Sequence, residues 1–208
     1  IKRCLLTANM ETVINAMWDT LPSCGDKILI IGSGIVGLLM AYILRTIPGV
    51  EILLIDQDNQ KKKMANLFNI TFKQKIPKTY KANIIFECSG NSSVINSLSS
   101  HIMEEALICV LSWYGNNISK VNFGEEFLSK RAKIIFSQVS KVSHNRSKYW
   151  DNAARKKLAI SLLNDDKLDS LIEKNMINFR DLPKFFSNVS KHKNFYCKVV
   201  NYGVKINV

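Results

Sequence analysis

Three glycines and one aspartate carry the clearest chemical signal in this 208-residue sequence. In "KILIIGSGIVGLLMAYILR", Gly32, Gly34 and Gly37 follow a short apolar run. Asp56 comes nineteen residues beyond Gly37, at the end of "EILLID". Glycine at the first position permits a sharp turn off a strand. At the second it lets a pyrophosphate approach the backbone, and at the third it lets a helix pack against a sheet. The first N–H groups of that helix, with the positive end of its dipole, then meet the phosphates. A carboxylate at the end of the second strand can accept hydrogen bonds from both ribose hydroxyls of an adenosine. It repels a 2′-phosphate, and no arginine follows it, which favours NAD(H) over NADP(H).

The elements that must position these residues are legible nearby. Seventeen uncharged residues separate Lys27 from Arg45, close to the roughly 20 a membrane helix needs. Gly32, Ser33 and Gly34 would weaken such a helix, and a membrane span does not predict the second apolar run. "KILII" (27–31) reads as a buried strand, residues 35–46 as a helix, and "EILLID" (51–56) as a second strand, together a βαβ unit. A glycine turn that binds nothing and a methyltransferase are the competing readings. The methyltransferase has less need of the third glycine.

Further strands are expected at 82–90, 106–115 and 132–140, with helical pieces at 58–68, 92–103 and 123–129. Segment 71–81 reads as a loop or weak edge strand. The alternation predicts an α/β fold with a doubly wound parallel sheet. Ligands of such sheets bind at the carboxyl ends of strands. That makes Cys88, Ser89 and Gly90, then Leu111, Ser112 and Trp113, then Ser137 and Gln138, candidates to line a cofactor site. Beyond Lys141 the chain turns polar and basic, then forms an amphipathic helix to about Asn164. A short strand, a helix bearing Phe185, Phe186 and Val189, and a last strand "YCKVVNYGV" follow. These pieces are too few for a core of their own and call for a partner surface.

Composition narrows the function classes. Five dispersed cysteines without a C-x-x-C argue against a disulfide framework and for a reducing, cytoplasmic setting. Three dispersed histidines and those cysteines offer no zinc spacing, so no metal is expected. The net charge of +12 is spread along the chain. Without an aromatic-interleaved basic stripe it argues for anionic small ligands, not nucleic acid. Neither a nucleic-acid nor a membrane partner is expected.

The order of motifs resembles the medium-chain, zinc-type alcohol dehydrogenase superfamily, in its threonine and sorbitol dehydrogenase branch. The matching stretches are "ETVINAMWDTLPSCGDKILIIGSGIVGLL", "LIDQDNQKKKMANLFNI", "IIFECSG", "ICVLSWYG" and "INFRDLPKFFSNV…CKVVNY". The resemblance implies a linker helix at 1–22, an NAD-binding Rossmann domain at 23–145, and a tail at 146–208 returning to a catalytic domain that the chain does not contain. It assigns the pyrophosphate to Gly32, Gly34 and Gly37, with Ser33, Ile35 and Val36 between them. Asp56 and Gln57 then meet the adenosine ribose. Cys88-Ser89-Gly90, Leu111-Ser112-Trp113 and Phe136-Ser137 run under the nicotinamide half.

What the resemblance implies about activity is hydride transfer between NAD and the carbon of an alcohol, polyol or carbonyl. The substrate is a small molecule, and family habit implies a homodimer or homotetramer. In that family a zinc ligand falls just before the linker helix. Here the place holds Thr7 and Ala8, neither a good ligand, with Cys4 and Glu11 flanking out of register. No residue of the chain stands out as a catalytic acid or base; Lys61 and Lys62 read as solvent-exposed, with one able to approach the ribose. An FAD-binding protein and a non-enzymatic NAD-binding or regulatory module are the alternatives.

Overall fold

The structure, a computed structural model, describes residues 2–116, 118–188 and 196–203. After a 3-10 turn at Lys2–Leu6 come α1 (Thr7–Thr20), β1 (Lys27–Ile31), α2 (Ile35–Leu44) and β2 (Glu51–Ile55). Then follow α3 (Lys62–Leu67), β3 (Thr71–Lys73), β4 (Ala82–Glu87), α4 (Val94–Ser97) and β5 (Ile102–Val110). The chain continues with α5 (Glu125–Ser129), β6 (Lys133–Phe136), α6 (Asn152–Leu162), β7 (Ile177–Asn178), α7 (Leu182–Ser187) and β8 (Val200–Asn201).

Six strands form one parallel sheet in the order β3-β2-β1-β4-β5-β6. The chain thus winds outward from β1 in one direction, then in the other from β4, as a doubly wound sheet does. Side chains alternate across it. Ile28, Ile30, Leu54, Phe86 and Cys109 face a core shared with α1, α2 and the 159–172 segment. Leu29, Ile31, Leu53, Ile85 and Ile108 face a second core with Ile95, Leu98 and Phe127. Burial on both faces explains why these strands read as continuous apolar runs, not alternating ones.

Register levels the strand ends. Ile31 pairs with Ile55 and Glu87, Glu87 with Val110, and Val110 with Phe136. One further hydrogen bond carries each ladder past its strand. Gly32 N–H donates to Ile55 O (2.8 Å), Cys88 N–H to Ile31 O (2.8 Å) and Leu111 N–H to Glu87 O (2.9 Å). Gly32, Asp56, Cys88, Leu111 and Ser137 therefore emerge along one edge.

Several expected boundaries move. The helix expected at 92–103 is cut to α4 and a 3-10 turn at Ser99–His101, and β5 starts at Ile102. Ile102 is fully buried and pairs with Ala82, which recruits it to the sheet. The register then shifts, with Glu105 at φ 55° and its N–H donating to Lys130 O (2.6 Å). The strand expected at 132–140 stops at Phe136, because Ser137 and Gln138 turn toward α1. The strand expected at 82–90 ends at Glu87, and within 71–81 only Thr71–Lys73 pairs, on the sheet edge.

Part of the tail packs on the sheet. Ala159, Leu163, Leu168, Leu171 and Ile172 are buried in the same core as α1 and α2. Arg155 stitches this packing together at only 4% exposure. Its guanidinium donates to Asn15 Oδ1 (2.8 Å) and Val139 O (2.7 Å) and lies 3.5 Å from Glu11 Oε1. Farther on, β7 and β8 pair in parallel as a small separate sheet. Val189 and Val204, expected in the last helix and strand, lie outside the described residues.

Candidate functional site

A cleft of about 610 Å³ opens at the carboxyl ends of β1, β2 and β4. Gly32, Gly34, Asp56, Gln57, Cys88 and Ser89 line it, as does Lys61. Its far wall is made by Gln74–Ile76, just past β3, and by Asn91, Val94, Ser97 and His101 around α4. It sits where the winding reverses between β1 and β4.

Each glycine of the turn answers a different constraint. Gly32 has φ 98°, and a Cβ there would stand 2.6 Å from Cys88 O. A Cβ on Gly37 would stand 1.9 Å from Gly32 O, so only glycine lets α2 seat on the turn. Around Gly34 a Cβ would meet nothing within 4 Å. Its bare position serves no packing need inside the protein, and it faces the cleft at the N-terminus of α2. That combination suits an anion drawn onto the first helical N–H groups.

Asp56 is tied to this turn. Its Oδ2 accepts from Ser33 N–H (2.9 Å) and Ser33 O–H (3.2 Å), and its Oδ1 from Asp58 N–H (2.9 Å). A carboxylate has about four lone-pair sites. One remains, on Oδ1, open to a further donor. Ser33 is fully buried, acting as a brace between turn and acid instead of a ligand contact.

Beside the acid, Lys61 Nζ lies 4.3 Å from the centre of the Tyr196 ring, which comes from the carboxyl-terminal segment. Burial, with the charges of Asp56 and Asp58, pushes the Tyr196 phenol up to about 12. The aromatic face thus stays neutral at physiological pH and carries the lysine toward the cleft.

Behind the cleft lies a fully buried carboxylate, Glu87. Ser89 N–H (2.7 Å) and Ser89 O–H donate to Oε1, and Tyr114 O–H donates to Oε2 (2.6 Å). Burial and the adjoining Glu87 raise the Tyr114 phenol well above its ordinary value. The network joins the exits of β4 and β5. Burial also raises the Cys88 thiol, so it meets the cleft as an unreactive thiol, not a thiolate.

The other predicted residues are placed as follows. Ile35 and Val36 pack against the core under α2. Gly90 N–H is taken by Ser112 Oγ (2.8 Å). Leu111, Ser112, Trp113, Phe136 and Ser137 do not line the cleft. Trp113 and Phe136 are 83% and 74% exposed, and Ser137 donates to Asp19 Oδ2 (2.6 Å) on α1. Gln138 likewise turns to α1. Sequence reasoning missed Gln74–Ile76, Asn91, Val94, Ser97 and His101. The strand-end rule would have found the first group had three-residue β3 been recognised.

Among the described residues no group of three His, Cys, Asp or Glu side chains gathers to hold a metal. Glu11, which flanks Thr7 and Ala8 in sequence, is engaged by Arg155. Among the described residues no helix is long and apolar enough to cross a membrane.

Strand order, glycine turn and terminal acid define a Rossmann-type dinucleotide-binding fold. The fold is similar to that of solved alcohol and polyol dehydrogenases. The 2R,3R-butanediol dehydrogenase from Bacillus subtilis matches with a TM-score of 0.72 and 15% identity, over 94% of this chain and 56% of that one. S. aureus TarJ, in complex with NADPH, matches with a TM-score of 0.70 and 22% identity, over 94% and 62%. The short chain alcohol dehydrogenase rspB from E. coli CFT073, complexed with NADH, matches with a TM-score of 0.69 and 16% identity, over 94% and 57%. The chain thus spans little more than half the length of these enzymes. No family model and no curated protein matches the sequence.

Proposed function

We propose that this chain is the cofactor-binding part of a nicotinamide-dependent oxidoreductase that interconverts alcohols or polyols with carbonyl compounds. The observation that carries the reading is Gly34, a side-chain-free opening at the start of α2, next to Ser33, whose N–H is bound to the Asp56 carboxylate. The diphosphate of the cofactor would be held by the first N–H groups of α2, and its adenosine ribose by Asp56 Oδ1. Bound nicotinamide supplies hydride transfer; the protein's residues bind it and orient it. Residues 1–22 would connect to a catalytic domain and the end of the 146–208 segment would return to one. The fold match to alcohol and polyol dehydrogenases supports both assignments.

The preferred cofactor is NAD(H). The Asp56 carboxylate stands where a 2′-phosphate would carry its charge. A second reading, NADP(H), is favoured by Lys61 and Lys75, two cationic residues lining the same cleft. Calorimetric titration of NADH and NADPH separates them. NADH is expected to bind at least tenfold tighter, about 1.4 kcal/mol, with Asp56→Ala narrowing the gap. Tighter NADPH binding, lost in Lys61→Ala, would establish the second reading.

A further inference from the structure

His101 closes the 3-10 turn after α4 and lines the cleft with Ile76, Val94 and Ser97. Its Nδ1 lies 2.9 Å from the carbonyl oxygen of Tyr80. A carbonyl oxygen only accepts, so Nδ1 carries the proton of the neutral ring and Nε2 keeps a lone pair. Nε2 is separated from Nδ1 by Cε1 and its lone pair diverges from the Nδ1–H bond, so it does not meet the Tyr80 carbonyl, and His101 itself lines the cleft. Tyr80 is itself anchored, its hydroxyl donating to Ile28 O in the centre of the sheet (3.1 Å). The sheet thus fixes both the tautomer and the direction of the ring.

The position of this acceptor follows from the order of groups along the cleft. With diphosphate at Gly34 and ribose at Asp56, the base lies farther out, between Gln74–Ile76 and Val94–His101. Ile76 and Val94 give that space apolar surface for a flat ring, and His101 is its ring acceptor. We infer that His101 reads the purine: Nε2 accepts a hydrogen bond from the exocyclic amine of adenine. Hypoxanthine has a carbonyl oxygen in place of that amine, setting lone pair against lone pair. A site that binds an amine in this way rejects the analogue lacking it, because the acceptor is left unpaired. The inference rests on the reading of the cleft as a dinucleotide site.

The test is fluorescence titration at pH 8 with NADH and its hypoxanthine counterpart, deaminated NADH. Wild type, His101→Ala and His101→Gln are compared, with circular dichroism to verify folding. Wild type is expected to prefer NADH by about tenfold. His101→Ala should bring the two within about twofold, mainly through weaker NADH binding. His101→Gln, whose amide presents either an oxygen or an N–H, should retain NADH binding while narrowing the preference. Equal affinities in wild type, or a preference unchanged in folded His101→Ala, would overturn the role of His101 and leave the dinucleotide site standing. No NADH binding by wild type would remove the dinucleotide reading and this inference with it.

Discussion

Gly37 lies so close beneath Gly32 that a methyl group on it would stand 1.9 Å from the Gly32 carbonyl oxygen, whereas Gly34 has open space around it. One glycine is required for packing and the other is not. Gly37→Ala is expected to lose about 2 kcal/mol or more, because the clash is with rigid backbone. Gly34→Ala should stay within about 1 kcal/mol of wild type, the ordinary cost of exchanging a glycine helix cap for alanine. Thermal melting reads both. Equal losses in the two variants would contradict the distinction.

Buried Glu87 holds the exits of β4 and β5 together through Ser89 and Tyr114. Tyr114→Phe removes one donor to a desolvated carboxylate and is expected to cost about 1.5–3 kcal/mol. Urea denaturation measures the loss. A change below about 0.5 kcal/mol, the range of neutral surface substitutions, would show that the hydroxyl does not support the carboxylate.

Tyr42 donates to Asp165 Oδ2 at 2.6 Å. Burial, then the Asp165 hydrogen bond, pushes the Tyr42 phenol up to about 12, and the same bond holds the Asp165 carboxyl below its ordinary range. An unfolded phenol ionises near pH ~10. The tyrosine contribution is therefore complete below that pH and is lost as pH rises toward about 12. The Asp165 contribution is complete above the usual carboxylate range and is lost as pH falls through the lowered value. Tyr42→Phe should cost about 1 kcal/mol at neutral pH and flatten the alkaline limb of stability against pH. Parallel limbs in the two proteins would contradict the assignment.

Arg155 is buried among Glu11, Asn15 and the carbonyl of Val139. Truncation strands the Glu11 carboxylate, which is mostly covered, and removes one of several ties between the 137–143 loop and α1. Arg155→Ala is expected to cost about 3 kcal/mol, measured by denaturant midpoint. A loss under about 1 kcal/mol, typical of an exposed ion pair, would mean that the cluster is not a structural tie.

The β1-turn-α2-β2 unit was legible because its signals are local: an apolar run, three glycines at fixed spacing and an acid. The far wall of the cleft was not. β3 has three residues on a sheet edge, too short for a hydrophobic period, so the strand-end rule had nothing to act on at Gln74–Ile76. His101 enters the cleft only because Ile102 is drawn into β5, which ends the preceding helical turn early. Arg155 stands in a polar, basic stretch of sequence. Its partner Asn15 lies 140 residues away, and no local pattern separates a buried arginine from a solvated one. The acid at the end of β2 was legible, but the number of lone pairs left to it was not, since that depends on how Ser33 and Asp58 fold around it.

The most direct measurement is NADH binding by the folded chain and by Gly34→Val, followed through the cofactor's fluorescence. A side chain at that position starts from a Cβ with nothing within 4 Å and extends into the opening at the start of α2. The account predicts saturable binding by the wild-type chain and at least a tenfold loss in Gly34→Val, about 1.4 kcal/mol, with the fold intact. Undiminished binding in the variant, or none by the folded wild-type chain, would contradict it.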